Sequence, residues 1–171
     1  MFHGSLVAIV TPMRDNGDVD FDAWARLLDF HLENGTDGIV VGGTTGESPT
    51  ITEAELRELT ERACAHVKKR IPIIVGAGTS STASTVARTR WLSELPIDAL
   101  LVVTPAYNRP PPGRPVQALR GGSGSLSCAR HPLQHPEPHG CGSVAGYGGE
   151  AYAFSADRRG EGRRGWSRAC A

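Results

Sequence analysis

The chain has 171 residues, enough for one domain with a substantial core. Its 18 Lys and Arg balance 18 Asp and Glu, so the formal net charge is zero and nothing argues for nucleic acid or an anionic membrane as a partner. No apolar run is long enough to cross a bilayer, and MFHGSLVAIVTP lacks the basic segment, long apolar core and cleavage site of a secretory signal; a cytoplasmic protein is expected.

Leu6 to Val10 is a short apolar run closed by Thr11-Pro12, the pattern of a strand with a stop. Asp20 can cap a helix running through Glu33, with Phe21, Trp24, Leu27, Leu28 and His31/Leu32 at helical spacing and Gly35 just past its end. A second apolar run, Gly38 to Val41, leads into the loop Gly42-Gly43-Thr44-Thr45-Gly46-Glu47-Ser48. Glycines there let backbone N–H groups approach a ligand, and adjacent hydroxyls can bind or relay protons. By itself such a loop is equally an ordinary polar cap on the next helix. Thr52 with Glu55 forms a capping box that starts a helix carrying Leu56, Leu59, Ala63 and Val67 on one face. Lys68, Lys69 and Arg70 suit its C-terminal end.

Ile71 to Val75 is the third strand, ending in Gly76-Ala77-Gly78. Ser80 to Glu94 reads as a third helix with Val86, Trp91 and Leu92 inward, and Ala99 to Val103 is a fourth strand closed by Thr104-Pro105. The order βαβαβαβ, with continuous apolar strands between amphipathic helices, predicts a parallel sheet covered by helices. Functional loops then belong at the C-terminal ends of the strands, as in a (β/α)8 barrel or a doubly wound sheet. There is no GxGxxG and no Walker motif. A barrel needs eight such units, and about half of that number is visible.

From Arg109 onward the composition changes: isoleucine, asparagine and lysine vanish, and Gly, Arg, Pro, Ser and Ala dominate. Cys128, Cys141 and Cys170 lie there without metal-ligand spacing, and no disulfide framework is read from them. The domain expectation is a partial barrel over residues 1–109, with four strands and three helices. A tail over residues 110–171 is too poor in apolar surface to offset its ordering entropy.

Two strand ends combine: GGTTGES (Gly42 to Ser48) and TPAYNRP (Thr104 to Pro110). With LVAIVTPM at the start, they closely resemble the 4-hydroxy-tetrahydrodipicolinate (dihydrodipicolinate) synthase family, over residues 1 to about 110. The related N-acetylneuraminate lyases usually have serine at the first threonine and lack TPxYN. The resemblance implies a TIM barrel in which pyruvate forms a Schiff base with a lysine, and the enamine attacks aspartate semialdehyde. It implies that Thr45 binds the pyruvate carboxylate, and that Thr44 links two tyrosine hydroxyls in a proton relay. Tyr107 is one of those tyrosines, reaching into a neighbouring subunit of a homo-oligomer. Aligned hydroxyls suit the proton shuttling of imine formation. No metal or other cofactor is implied. Ala106 stands where many members carry a second tyrosine. Glu53, Leu56, Ser80 and Ser84 replace the residues of feedback-inhibited members, which argues against lysine inhibition of the usual type.

The only lysines, Lys68 and Lys69, end a helix, so the Schiff-base lysine is missing. Rereading the tail with each codon starting one base later recovers the family pattern. Pro112 to Gly122 can encode QEGLYRHFEA, and His131 to Ala145 can encode ILYNIPSRTGVDLL. Asp157 to Arg164 can encode IVGVKDA. The second tyrosine then straddles Leu133–Gln134, an arginine straddles Pro138–His139, and the lysine straddles Glu161–Gly162. This reading places a one-base insertion in the codons for Pro110 to Pro112. It discounts the His131/His135/His139 ladder, whose helix Pro132, Pro136 and Pro138 forbid, and the Arg158/Arg159/Arg163/Arg164 cluster. Three functions therefore stand as expectations: the synthase by descent, a non-catalytic fragment as the literal chain, and a related lyase such as N-acetylneuraminate lyase.

Overall fold

A computed structural model of the protein describes residues 2–103, 131–132 and 151–155. In chain order they form β1 (Leu6–Ala8), α1 (Phe21–Glu33), β2 (Gly38–Val41), a 3-10 turn (Thr44–Gly46), α2 (Glu53–Val67), β3 (Ile73–Gly76), α3 (Thr82–Leu92), β4 (Ala99–Val103), β5 (His131–Pro132) and β6 (Ala151–Ser155).

Each long helix starts where its sequence supplies a side-chain acceptor. The Asp20 carboxylate accepts the N–H groups of Asp22 and Ala23 at 3.0 and 2.9 Å. At α2 the capping box is reciprocal: Glu55 N–H donates to Thr52 Oγ1 at 3.2 Å, and Thr52 N–H donates to Glu55 Oε2 at 2.7 Å. Satisfying these orphan donors fixes where each helix begins. Burial then fixes which face turns inward. Trp24 and Leu28, one turn apart, are buried on α1, and the Trp24 indole N–H donates to Leu59 O of α2 at 3.3 Å. On α2 the buried residues are Leu56, Leu59, Thr60, Ala63 and Val67, the expected stripe with Thr60 added. The Thr60 hydroxyl donates back to Leu56 O at 2.7 Å and so costs the core nothing.

α3 departs from expectation. It begins two residues later and ends two earlier, with Ser81 as N-cap, and buries Thr85, Thr89 and Leu92, while Val86 and Trp91 are half-buried. The cause is a polar latch to α2. Trp91 Nε1–H donates to Glu53 Oε2 at 3.2 Å, Arg88 Nε donates to Glu53 Oε1 at 2.7 Å, and the Arg57 guanidinium lies 4.8 Å from the Trp91 ring centroid. These contacts hold the indole at the rim between the helices and leave small threonines to face the sheet.

β1 to β4 are parallel neighbours in chain order, with Leu6 opposite Gly38, Ile39 opposite Ile73, and Ile74 opposite Ala99. Alternation divides the sheet. Ile39, Val41, Ile73, Val75, Leu100 and Val102 join the helices in the main core, and Val40, Ile74 and Ala99 form a second cluster with Phe2, Leu6 and Leu101. Both faces being apolar is what a parallel sheet requires.

The fourth strand is not an edge of the sheet. β6 pairs antiparallel with β4, from Ala99 opposite Ser155 to Val103 opposite Ala151, and β5 pairs antiparallel outside it. AYAFS carries two aromatics and neither Gly nor Pro, so it can satisfy the row of backbone groups that β4 presents. Pro132 sits in the outermost strand, where a missing N–H is tolerated. At the other side β1 ends the sheet, without an outer partner among the described residues.

Candidate active site at the carboxyl ends of the strands

The chain leaves β2 through Gly42, whose φ of 60° is left-handed, and whose absent Cβ would lie 2.5 Å from Leu56 Cδ1. Gly76, at the end of β3, is packed so closely that a Cβ would stand 2.1 Å from Gly42 O. Two strand ends thus touch through backbone alone, which only glycine at position 76 permits. The following turn is tied internally. Gly43 O accepts Gly46 N–H at 3.0 Å and Ser48 N–H at 3.3 Å, and Thr44 O accepts Glu47 N–H at 3.1 Å. Glu47 is itself left-handed, with φ 56°, and its carbonyl accepts the Thr50 hydroxyl at 2.9 Å.

The turn is also tied to β1. The buried Thr11 hydroxyl donates to Gly46 O at 2.8 Å, and a Cβ on Gly46 would come within 3.0 Å of Ile9 O. Thr44 and Thr45 are exposed on this support, and neither hydroxyl has a hydrogen-bond partner among the described residues. An exposed hydroxyl pair on a braced turn can accept and donate to a bound anion or to another hydroxyl. β4 runs parallel to β2, so Val103 ends at the same end of the sheet. Tyr107 lies outside the described residues, so its relation to Thr44 is not described.

Lys68 and Lys69 are elsewhere. α2 runs back across the sheet for 15 residues from Glu53, a length of about 22 Å, and delivers both lysines to the amino ends of the strands. Both are exposed and left-handed, with φ 50° and 60°. Beside them a groove of about 520 Å³ lies between α1 and α2, lined by Phe21, Trp24, Leu28, Arg62, His66 and Arg70. Three of its polar side chains are engaged: Arg62 with Glu58 at 2.6 Å, His66 with Asp29 at 2.6 Å, and Arg70 with the carbonyls of Val67 and His66. Among the described residues no three His, Cys, Asp or Glu side chains gather as a metal site. No helix of the described residues is long and apolar enough to cross a membrane.

Thr11 is the site residue that sequence reading missed, having been taken as the stop of a strand. The available signal was a hydroxyl residue ending an apolar strand beside Pro12, where a polar group needs a buried partner.

Parallel strands in chain order alternating with helices, with a braced turn at their carboxyl ends, are the pattern of part of an α/β barrel. The model of the dihydrodipicolinate synthetase family matches residues 1–116, and the chain belongs to that family. It is 53% identical over 110 residues to the 4-hydroxy-tetrahydrodipicolinate synthase of Coxiella burnetii, covering 64% of this chain and 38% of that protein. The synthase of Sulfurihydrogenibium sp. is 50% identical over 110 residues, covering 37% of its length. Among solved structures, chloride-inhibited dihydrodipicolinate synthase from Acinetobacter baumannii complexed with pyruvate superposes with a TM-score of 0.70 at 38% identity. That match covers 74% of this chain and 44% of that one. The Thermotoga maritima enzyme gives 0.67 at 42% identity, covering 71% and 41%. The chain thus contains the N-terminal half of a TIM barrel and spans about two fifths of the length of these relatives.

Proposed function

We propose that the chain derives from a 4-hydroxy-tetrahydrodipicolinate synthase, which condenses pyruvate with L-aspartate 4-semialdehyde through a lysine Schiff base in lysine and diaminopimelate biosynthesis. In this reading Thr45 holds the pyruvate carboxylate, and Thr44 passes protons between tyrosines, of which Tyr107 is one, supplied across the contact of a homo-oligomer in the cytoplasm. The observation that carries the reading is the exposed Thr44–Thr45 pair, with free hydroxyls among the described residues, on a turn braced at the carboxyl ends of β1 and β2 within the matched residues.

The literal chain is read as non-catalytic. The placement of Lys68 and Lys69 at the amino ends of the strands favours this, because an imine at the Thr44–Thr45 end needs an amine there. Restoring the frame after Asn108 supplies that lysine in the sequence, together with the second tyrosine and the arginine. Borohydride reduction in the presence of isotope-labelled pyruvate tests both statements. The expected outcome is no covalent label on the literal chain and stoichiometric label on the frame-restored protein. A labelled literal chain sinks the non-catalytic reading, and a folded, frame-restored protein that stays unlabelled sinks the synthase. If the restored protein cleaves N-acetylneuraminate faster than it consumes aspartate semialdehyde, the lyase reading replaces the synthase.

A further inference from the structure

We infer that Thr11 is a positioning residue for the Thr44–Thr45 pair. The inference rests on the proposed role of that pair and adds a residue that acts on it from the segment following β1.

The argument begins with what the turn can do for itself. Inside it, Gly43 O and Thr44 O are used as acceptors, and Glu47 O takes the hydroxyl and N–H of Thr50. The carbonyl of Gly46 has no such local donor among the described residues; its partner is the Thr11 hydroxyl, 35 residues earlier in the chain. This bond is buried, so solvent does not compete for either group. Steric contact supplies the other half of the constraint. Gly46 lies so close to the β1 extension that a Cβ would meet Ile9 O at 3.0 Å and Thr11 Oγ1 at 3.2 Å. The turn is therefore pulled down by one hydrogen bond and stopped by backbone contact, which sets the height of Thr45, the residue next to Gly46. A threonine suits the task because its β-branch restricts χ1 and keeps the hydroxyl aimed, and Pro12 fixes the chain direction immediately after it.

The test uses the full chain, labelled with nitrogen-15, as wild type, Thr11→Val and Thr11→Ser. Amide exchange at Gly46 and Ser48 reports on the turn, and exchange at Leu59 and Ala63 reports on the core. Thr11→Val is expected to speed exchange at Gly46 and Ser48 by about tenfold while leaving the core amides unchanged, and Thr11→Ser, which keeps the hydroxyl but not the β-branch, is expected to recover most of that protection. Unchanged exchange in Thr11→Val overturns the inference. So does faster exchange spread equally over the core amides, since the hydroxyl would then support the whole fold and not this turn. A parallel titration with sodium pyruvate, followed at the Thr44 and Thr45 amides, reads the other question. Shifts that weaken in Thr11→Val and return in Thr11→Ser support positioning for that ligand. If wild type shows no shift while the exchange pattern holds, pyruvate recognition by this chain fails and the positioning role stands.

Discussion

At the scale of single residues, buried threonines decide more than their number suggests. Thr60 and Thr85 each spend their hydroxyl, on Leu56 O at 2.7 Å and on the Thr79 side chain at 3.0 Å. Thr89 is equally buried, and its Oγ1 has no hydrogen-bond partner among the described residues. Thr89→Val exchanges that hydroxyl for a methyl group of similar size and is expected to stabilise the fold by about 1 kcal/mol. The urea midpoint should rise with an unchanged slope; a lower midpoint would show that the hydroxyl is satisfied in solution. These residues also mark where the sequence was hard to read. The inner stripe of α2 was legible because Leu56, Leu59, Ala63 and Val67 repeat at helical spacing. The inner face of α3 was not, because Thr85 and Thr89 read as polar although their methyl groups pack and Thr85 satisfies its own oxygen locally. Thr11 escaped for the same reason. A threonine declares its role only when its partner is known, and here that partner is distant in sequence.

At the scale of elements, the starts of α1 and α2 are the best-predicted features, since a cap is local chemistry. They also carry a pH dependence. Glu55 is held below its ordinary value of 4.5, first by the backbone N–H of Thr52 and then by the Thr52 hydroxyl. Asp20 is held below 3.8, chiefly by the N–H of Ala23, against a smaller opposing effect of desolvation. Both carboxyls are more acidic folded than unfolded, so the unfolded chain binds more protons as pH falls through this range. Their contribution to stability is complete above the ordinary carboxylate values and is lost as pH falls through the depressed ones. Glu55→Gln should therefore flatten the decline of the urea midpoint below about pH 4.5 and lower the midpoint itself near neutrality. An acid decline as steep as that of wild type would remove Glu55 from the account. The parallel sheet was equally legible, because short apolar runs separated by amphipathic helices leave little other choice; its strand order came only with the resemblance, since a barrel and a doubly wound sheet share that pattern. The antiparallel β6 was not, since nothing local in AYAFS specifies which edge it joins.

For the whole molecule, the unequal edges matter most. β4 is covered by β6, whereas β1 has no outer partner among the described residues, and Ala8 and Val10 are exposed beside it. Such an edge pairs with other edges. The chain is expected to associate as its concentration rises, measured by light scattering after size exclusion. Ala8→Lys, which puts a charge on that edge, should shift the association to higher concentration. Equal association in the variant would move the contact to another surface. How the tail reads is decided separately, by resequencing the gene through the codons for Asn108 to Pro115; loss of one base restores the family pattern, and its retention leaves the chain as a relic of its family.

The sheet order from β1 to β4 is also the order of synthesis. Each new strand therefore meets a neighbour that has already left the ribosome, and no early strand waits for a late one. At about 5–20 residues per second, the codons after Asn108 are read several seconds after β1 and β2 have been made. If the frame shifts at that point, it does so on a nascent chain whose first βα units have already had time to pair. On the frameshift reading the altered residues are thus added to strands already in order, whereas a shift before β4 would have left the parallel sheet without its fourth strand.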